Sequence, residues 1–201
     1  MTTVCIVQAR LTSSRLPGKV MYPLQGKPVL WHVLSRAKHI DGIDRVVLAA
    51  PDDTRSTVLA VVARSLGVET FYGSETDVLE RYFYTALNNR AKVIMRITAD
   101  CPFIDPKICS EVLSVLGDSD YASNVYPRTV LKGYDCEVFT FHALTRAHRE
   151  AIAPYDREHV TSWMQKNLKT KGLDRLLMAN DFTESFCIDT ANDYLRLNEP
   201  V

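Results

Sequence analysis

Between residues 3 and 99, short apolar runs alternate with amphipathic stretches, and this alternation constrains the fold more than any other feature. TVCIV (3–7), RVVLAA (45–50), VETFY (68–72) and KVIMRITA (92–99) read as strands. Between them, residues 28–40, 54–66 and 77–90 place apolar side chains at helical spacing. Their inner faces read as Val29, Leu30, Val33, Leu34 and Ala37, then Val58, Leu59, Val62 and Leu66, then Val78, Leu79, Tyr82, Phe83, Ala86 and Leu87. Continuous apolar strands joined by helices are what a parallel sheet covered on both faces requires. After Pro102 the rhythm loosens. The pattern predicts a helix over 106–116, extended pieces over 121–125 and 136–141, a helix over 157–168, extended pieces over 175–179 and 185–188, and a last helix over 190–200. No repeat, low-complexity tract or linker interrupts the 201 residues. The expectation is an α/β fold, one domain over 1–201, with a mostly parallel central sheet flanked by helices.

Charge excludes several classes of partner. Lys+Arg and Asp+Glu are equal at 24 each, so no global field recruits nucleic acid or a membrane surface. No run approaches the ~18 apolar residues of a membrane span, and the first residues lack a basic-then-apolar secretory pattern. The five cysteines, Cys5, Cys101, Cys109, Cys136 and Cys187, are scattered, never spaced as CxxC, and several sit in apolar runs. That pattern predicts reduced thiols in a cytoplasm and no disulfide or zinc framework.

Against this neutral background, QARLTSSRLPGK (8–19) crowds Arg10, Arg15 and Lys19 around Thr12, Ser13 and Ser14. The loop follows the first strand, and ligands of open α/β sheets bind where βα loops gather. Guanidinium forks plus a point charge suit a polyanion. It is not a GxGxxG loop, and Val20 follows Lys19 where a P-loop has Ser or Thr. Two readings stand, a phosphate cradle and a solvated basic loop. The cradle reading predicts that the empty protein holds three mutually repelling cations.

QARLTSSRLPGKVM closely resembles the signature of the sugar-activating cytidylyltransferases, the CMP-ketodeoxyoctonate and CMP-sialic acid synthetases. Further matches run along nearly the whole chain: GSETDVLERYFYTA (73–86), RITADCPFIDP (96–106), GYDCEVF (133–139), DREHVTSW (156–163) and IDTANDYLRL (188–197). DVLERY and REHVT are most similar to the spore-coat polysaccharide branch. The resemblance implies a Rossmann-like nucleotide-diphospho-sugar transferase fold, in which Arg10, Ser13, Ser14, Arg15 and Lys19 hold the phosphates of CTP. It implies Mg2+ on Asp100 and Asp189, with Arg10, Lys19 and Asp100 as catalytic residues. Ser74, Asp77 and Arg81 would border the base. The ketodeoxyoctonate-type enzymes carry a D-x-D pair where this chain has Cys187 and Asp189.

The residues themselves leave alternatives. Asp189 before a helix also reads as an N-cap, as do Asp52, Asp53 and Asp105, and Ser74 or Asp77 would cap the helix that follows. Asp135 and Glu137 alternate onto one face, and Glu158 with His159 stand at an expected helix start. Asp135, Glu137 and His159 are the sugar-side candidates, and one of them would orient or deprotonate the attacking hydroxyl. The expected reaction is attack by a sugar hydroxyl, of an acidic nonulosonic-type sugar, on CTP to give a CMP-sugar and pyrophosphate. The rivals are a glycosyltransferase or other nucleotidyltransferase of the same fold, and a non-catalytic nucleotide-binding subunit. Relatives usually continue beyond the position of Val201, and by resemblance the protein is expected to be a homodimer.

Overall fold

The first apolar run forms β1 (Thr3–Gln8), whose side chains are buried on both faces up to Gln8. Val4 and Ile6 point into one core layer, Cys5 and Val7 into the other. The computed structural model describes residues 2–174 and 184–199. β1 lies parallel to β2 (Arg45–Pro51) and to β4 (Val93–Thr98), and β2 lies parallel to β3 (Glu69–Gly73). The remaining strands of this sheet are β5 (Tyr121–Ser123), β6 (Glu137–Thr140) and β7 (Thr170–Gly172), and a separate short hairpin pairs Pro23–Leu24 with Lys27–Pro28. The order across the seven-stranded sheet is β3-β2-β1-β4-β6-β5-β7. β6 runs antiparallel to both its neighbours, and β5 and β7 are parallel to each other.

The helices are α1 (Val29–Ala37), α2 (Thr57–Ser65), α3 (Val78–Asn88), α4 (Pro106–Val115), α5 (Phe141–Glu150), α6 (Pro154–His159), α7 (Ser162–Asn167) and α8 (Ala191–Leu197). Leu30 and Leu34 of α1, Leu59 of α2 and Val112 of α4 share one core layer. Leu79 and Tyr82 of α3, Leu144 of α5 and Met164 of α7 share the other. The sheet is thus covered on both faces, as continuous apolar strands demand.

Three sequence expectations need correction. Val58 and Leu87 were expected on inner faces but are 42% and 47% exposed. A 3-10 turn over Thr54–Ser56 precedes α2, whose buried face is Leu59, Val62 and Ala63; at about 100° per residue Val58 falls at the edge of that face. The stretch 157–168 is two helices, because the first starts at Pro154 and the chain breaks at Val160, with φ 64. Glu158 and His159 therefore sit at the end of a helix, not at its start. The predicted extended piece over 175–179 lies outside the described residues.

Candidate active site

Gln8 and Thr98 pair at the carboxyl ends of β1 and β4, and the loops that follow them supply the site. In the first loop, Gly18 adopts φ 72 and its amide donates to the Leu11 carbonyl at 2.8 Å, closing the turn ahead of Lys19. Leu16 is buried with Leu24, Val29 and Ile188. This apolar anchor brings the basic loop against the segment that ends in Asp189.

A cleft of about 210 Å³ results, lined by Arg10, Ser13, Ser14, Arg15, Lys19, Arg81, Arg96, Asp100, Glu158, His159 and Asp189 among others. The Lys19 ammonium donates to Asp100 Oδ2 at 2.7 Å and to Asp189 Oδ1 at 3.0 Å. Asp189 also takes Arg15 at 2.9 Å and Lys132 at 2.5 Å, while Arg10 faces Glu158 at 3.3 Å. The expected cluster of repelling cations is thus overturned. Each of the three has a carboxylate partner. Burial works to raise the Asp189 carboxyl, but Lys132 and Lys19 outweigh it and pull its pKa down to about 2. Burial likewise works to lower the Lys19 ammonium, and Asp100 and Asp189 raise it overall.

Asp189 does not cap α8. Thr190 does, in a reciprocal capping box with Asp193. Asp53 and Asp105 are caps, of the 3-10 turn and of α4. Asp77 caps α3 through the Glu80 amide at 2.8 Å, and its other oxygen holds Arg157. Neither Ser74 nor Asp77 is among the residues lining the cleft. Arg81 is, and only 1% of its surface is exposed. It donates to the Ser74 carbonyl and leaves Nε buried with no partner. Burial, with repulsion from Arg10, lowers its pKa.

A second cavity of about 350 Å³ shares Arg96, Thr98 and His159 with the first. Asp135 and Glu137 both line it. Asp135 is held by Arg128 through two hydrogen bonds of 2.8 and 3.0 Å. Glu137 accepts from Arg96, from the Tyr121 hydroxyl at 2.7 Å and from the Thr161 hydroxyl at 2.6 Å. Burial opposes the Arg96 charge, but Glu137 raises its pKa overall. His159 lies against Tyr155, ring centres 4.2 Å apart.

Arg96 and Lys132 were missed by the sequence reading. Arg96 carried a signal, a lone charge in the apolar strand KVIMRITA, and buried charges demand partners. Lys132 carried none, since its partner lies 57 residues away.

Asp100 and Asp189 converge on one ammonium group, and Lys19 shows that the point between them accepts a cation. Their hard carboxylate oxygens fit a Mg2+ ion, which takes few protein ligands and completes its shell with water and phosphate.

The cytidylyltransferase sequence profile matches residues 4–197. The spore coat polysaccharide biosynthesis protein SpsF of Bacillus subtilis is 30% identical over 199 residues, which cover 94% of this chain and 82% of SpsF. The 3-deoxy-manno-octulosonate cytidylyltransferase of Aeromonas salmonicida is 31% identical over 121 residues, or 56% of this chain and 45% of its own. A solved cytidylyltransferase structure from Leptospira borgpetersenii superposes with a TM-score of 0.91 at 30% identity, over 98% of this chain and 85% of its own. A cleft that gathers phosphate-type cations and two aspartates at the carboxyl edge of a mostly parallel sheet agrees with these matches, and the chain belongs to the cytidylyltransferase family.

Proposed function

We propose that the protein transfers the cytidylyl group of CTP to a sugar hydroxyl, releasing pyrophosphate and giving a CMP-sugar. One observation carries this reading: the cleft of cations and aspartates adjoins a second polar cavity, with which it shares Arg96, Thr98 and His159. Two adjoining cavities suit a nucleotide and its acceptor. Arg10, Ser13, Ser14, Arg15 and Lys19 would hold phosphate oxygens, with Lys19 and Arg15 turning from the aspartates to the triphosphate. Asp100 and Asp189 would hold Mg2+, which when bound neutralises charge on the α-phosphate and the departing pyrophosphate. Arg81, with its buried Nε unpartnered, is the base-side donor. Ser74 and Asp77 would act through it, one as its carbonyl partner and the other as the cap of its helix.

On the acceptor side, Asp135 and Glu137 are already hydrogen-bonded to Arg128 and Arg96, so they would orient sugar hydroxyls. His159 lines both cavities and is the group placed to take the hydroxyl proton. Holding both substrates in line supplies most of the remaining rate, as general-base help is typically worth ~10²–10⁴-fold.

The test is a coupled assay of pyrophosphate release with CTP, magnesium and a panel of acidic and neutral sugars. Sugar-dependent pyrophosphate release with CTP, and little with ATP, GTP or UTP, is the expected result. Release of a nucleoside diphosphate instead would assign a glycosyltransferase.

A further inference from the structure

We propose that Asp100, which lines the cleft, and the buried Cys101 and Cys187 behind it form a binding site for a sulfur-preferring divalent cation, of the zinc or cadmium type. One carboxylate oxygen and two sulfurs lie within 4.8 Å of one another, and no other such group occurs among the described residues. Bonds of about 2.3 Å to sulfur and 2.0 Å to oxygen keep ligands of one ion within about 4.6 Å of each other. The cluster therefore closes on an ion with small movements.

The fold builds this arrangement from two distant segments. Cys101 follows Asp100 beyond the end of β4, and Cys187 is laid beside it because the Ile188 amide donates to the Asp100 carbonyl at 2.8 Å. On its far side the same segment is clamped by the Phe186 amide, which donates to the Lys132 carbonyl at 2.6 Å. Gly133 permits this approach. It adopts φ +106, and a Cβ there would stand 2.4 Å from the Phe186 carbonyl carbon. The Thr98 hydroxyl lies 3.4 Å from Cys101 Sγ and can donate to it once the sulfur is a metal ligand. Each thiol gives up its proton as the ion enters. Two thiolates and the Asp100 carboxylate then balance a dication and the Lys19 ammonium, which is 2.7 Å from Asp100.

The same carboxylate thus belongs to two sets of ligands, its Oδ2 facing Lys19 and its Oδ1 facing Cys101. With Asp189 it offers oxygen to a hard ion, and with the two cysteines it offers sulfur to a soft one. A soft ion on Asp100 draws charge from the carboxylate that the reaction would use. The resulting inhibition rests on the function proposed above, but the binding itself does not.

The full-length chain, kept reduced with a phosphine and stripped by a chelator, is titrated with cadmium in the absence of nucleotide. Sulfur-to-cadmium charge-transfer absorption reports the bonds. Saturation at one equivalent is expected. Cys101→Ser and Cys187→Ser should each lower the band and weaken binding by at least about tenfold. Asp100→Asn should weaken binding while keeping the sulfur band, and Cys109→Ser should change neither. Melting curves check that each variant folds, and alanine replaces serine where a buried hydroxyl is not tolerated. No band in the native protein, or an undiminished band in the Cys101/Cys187 double variant, overturns the proposal. Zinc should also inhibit pyrophosphate release, with relief in Cys187→Ser. A protein that binds cadmium at this site yet never releases pyrophosphate would refute the proposed function and leave the metal site standing.

Discussion

The Lys19 ammonium is buried between two carboxylates, whereas the Arg15 side chain is 63% exposed although it meets the same Asp189. Their removal should therefore have unequal effects on the empty protein. Lys19→Met leaves Asp100 and Asp189 short of a buried donor and should cost roughly 1–3 kcal/mol of stability. Arg15→Met should cost no more than about 1 kcal/mol, the range of exposed pairs. Both should weaken CTP–magnesium binding by ~1.5–3 kcal/mol, as each deletes a charged hydrogen bond to phosphate. Denaturant unfolding and calorimetric titration of the two variants separate the effects. Equal stability losses would contradict the asymmetry in burial, and unchanged affinity in both would free the loop of any phosphate role. At this scale the sequence supplied the names of the loop residues but not their partners. Like charges close in sequence suggest repulsion, while Asp189, which relieves it for Lys19, is 170 residues away.

Element boundaries were legible wherever a local hydrogen bond sets them. Asp105 before Pro106 and Asp77 three residues before Glu80 mark helix starts by chemistry that involves only near neighbours. The break between α6 and α7 was not legible, because its reason is tertiary. By turning at Val160 the chain brings the Thr161 hydroxyl onto Glu137 and the Ser162 hydroxyl onto Asp156. Packing of α5 on α3 gives a test at this scale. His148 stacks on Phe83, ring centres 4.2 Å apart, with Tyr84 at its edge. Burial, reinforced by Arg157, holds its pKa below the ordinary value, against the opposing pull of Asp77 and Glu80. The folded state therefore binds fewer protons at this site than the unfolded chain. Its contribution should be complete above about pH 6.5, the unfolded value, and should fade as pH drops toward the lower folded value. Unfolding free energies measured between pH 8 and 5 should show a decline that His148→Gln flattens. An identical decline in that variant would assign it elsewhere.

For the whole molecule, the alternation of runs up to residue 99 was enough to predict a parallel sheet, since every unit there is a strand, a helix and a return. Beyond Pro102 the strands are short, with three residues in β5, four in β6 and three in β7. So little chain carries no readable period, and the antiparallel setting of β6 depends on partners that adjacent residues do not reveal. Lys132 enters the site by the same long-range route. The pairing of Arg10, Arg15, Lys19 and Lys132 with Glu158, Asp100 and Asp189 also bears on how a nucleotide arrives. These four cations share three carboxylates, and Arg81 has only a carbonyl partner, so the field left over is weaker than that of bare cations and draws a polyanion only weakly from afar. The polyanion is captured after chance encounter, when ion pairs exchange at short range. Steering by an unmatched basic cleft can raise association rates ~10–10³-fold, with steep loss in salt. In stopped-flow mixing, the association rate of CTP–magnesium should instead change by less than about tenfold between low and physiological ionic strength. A steeper fall would mean that the pairs open before the ligand comes. If they stay closed, selection for this nucleotide operates at departure, through the lifetime of the complex.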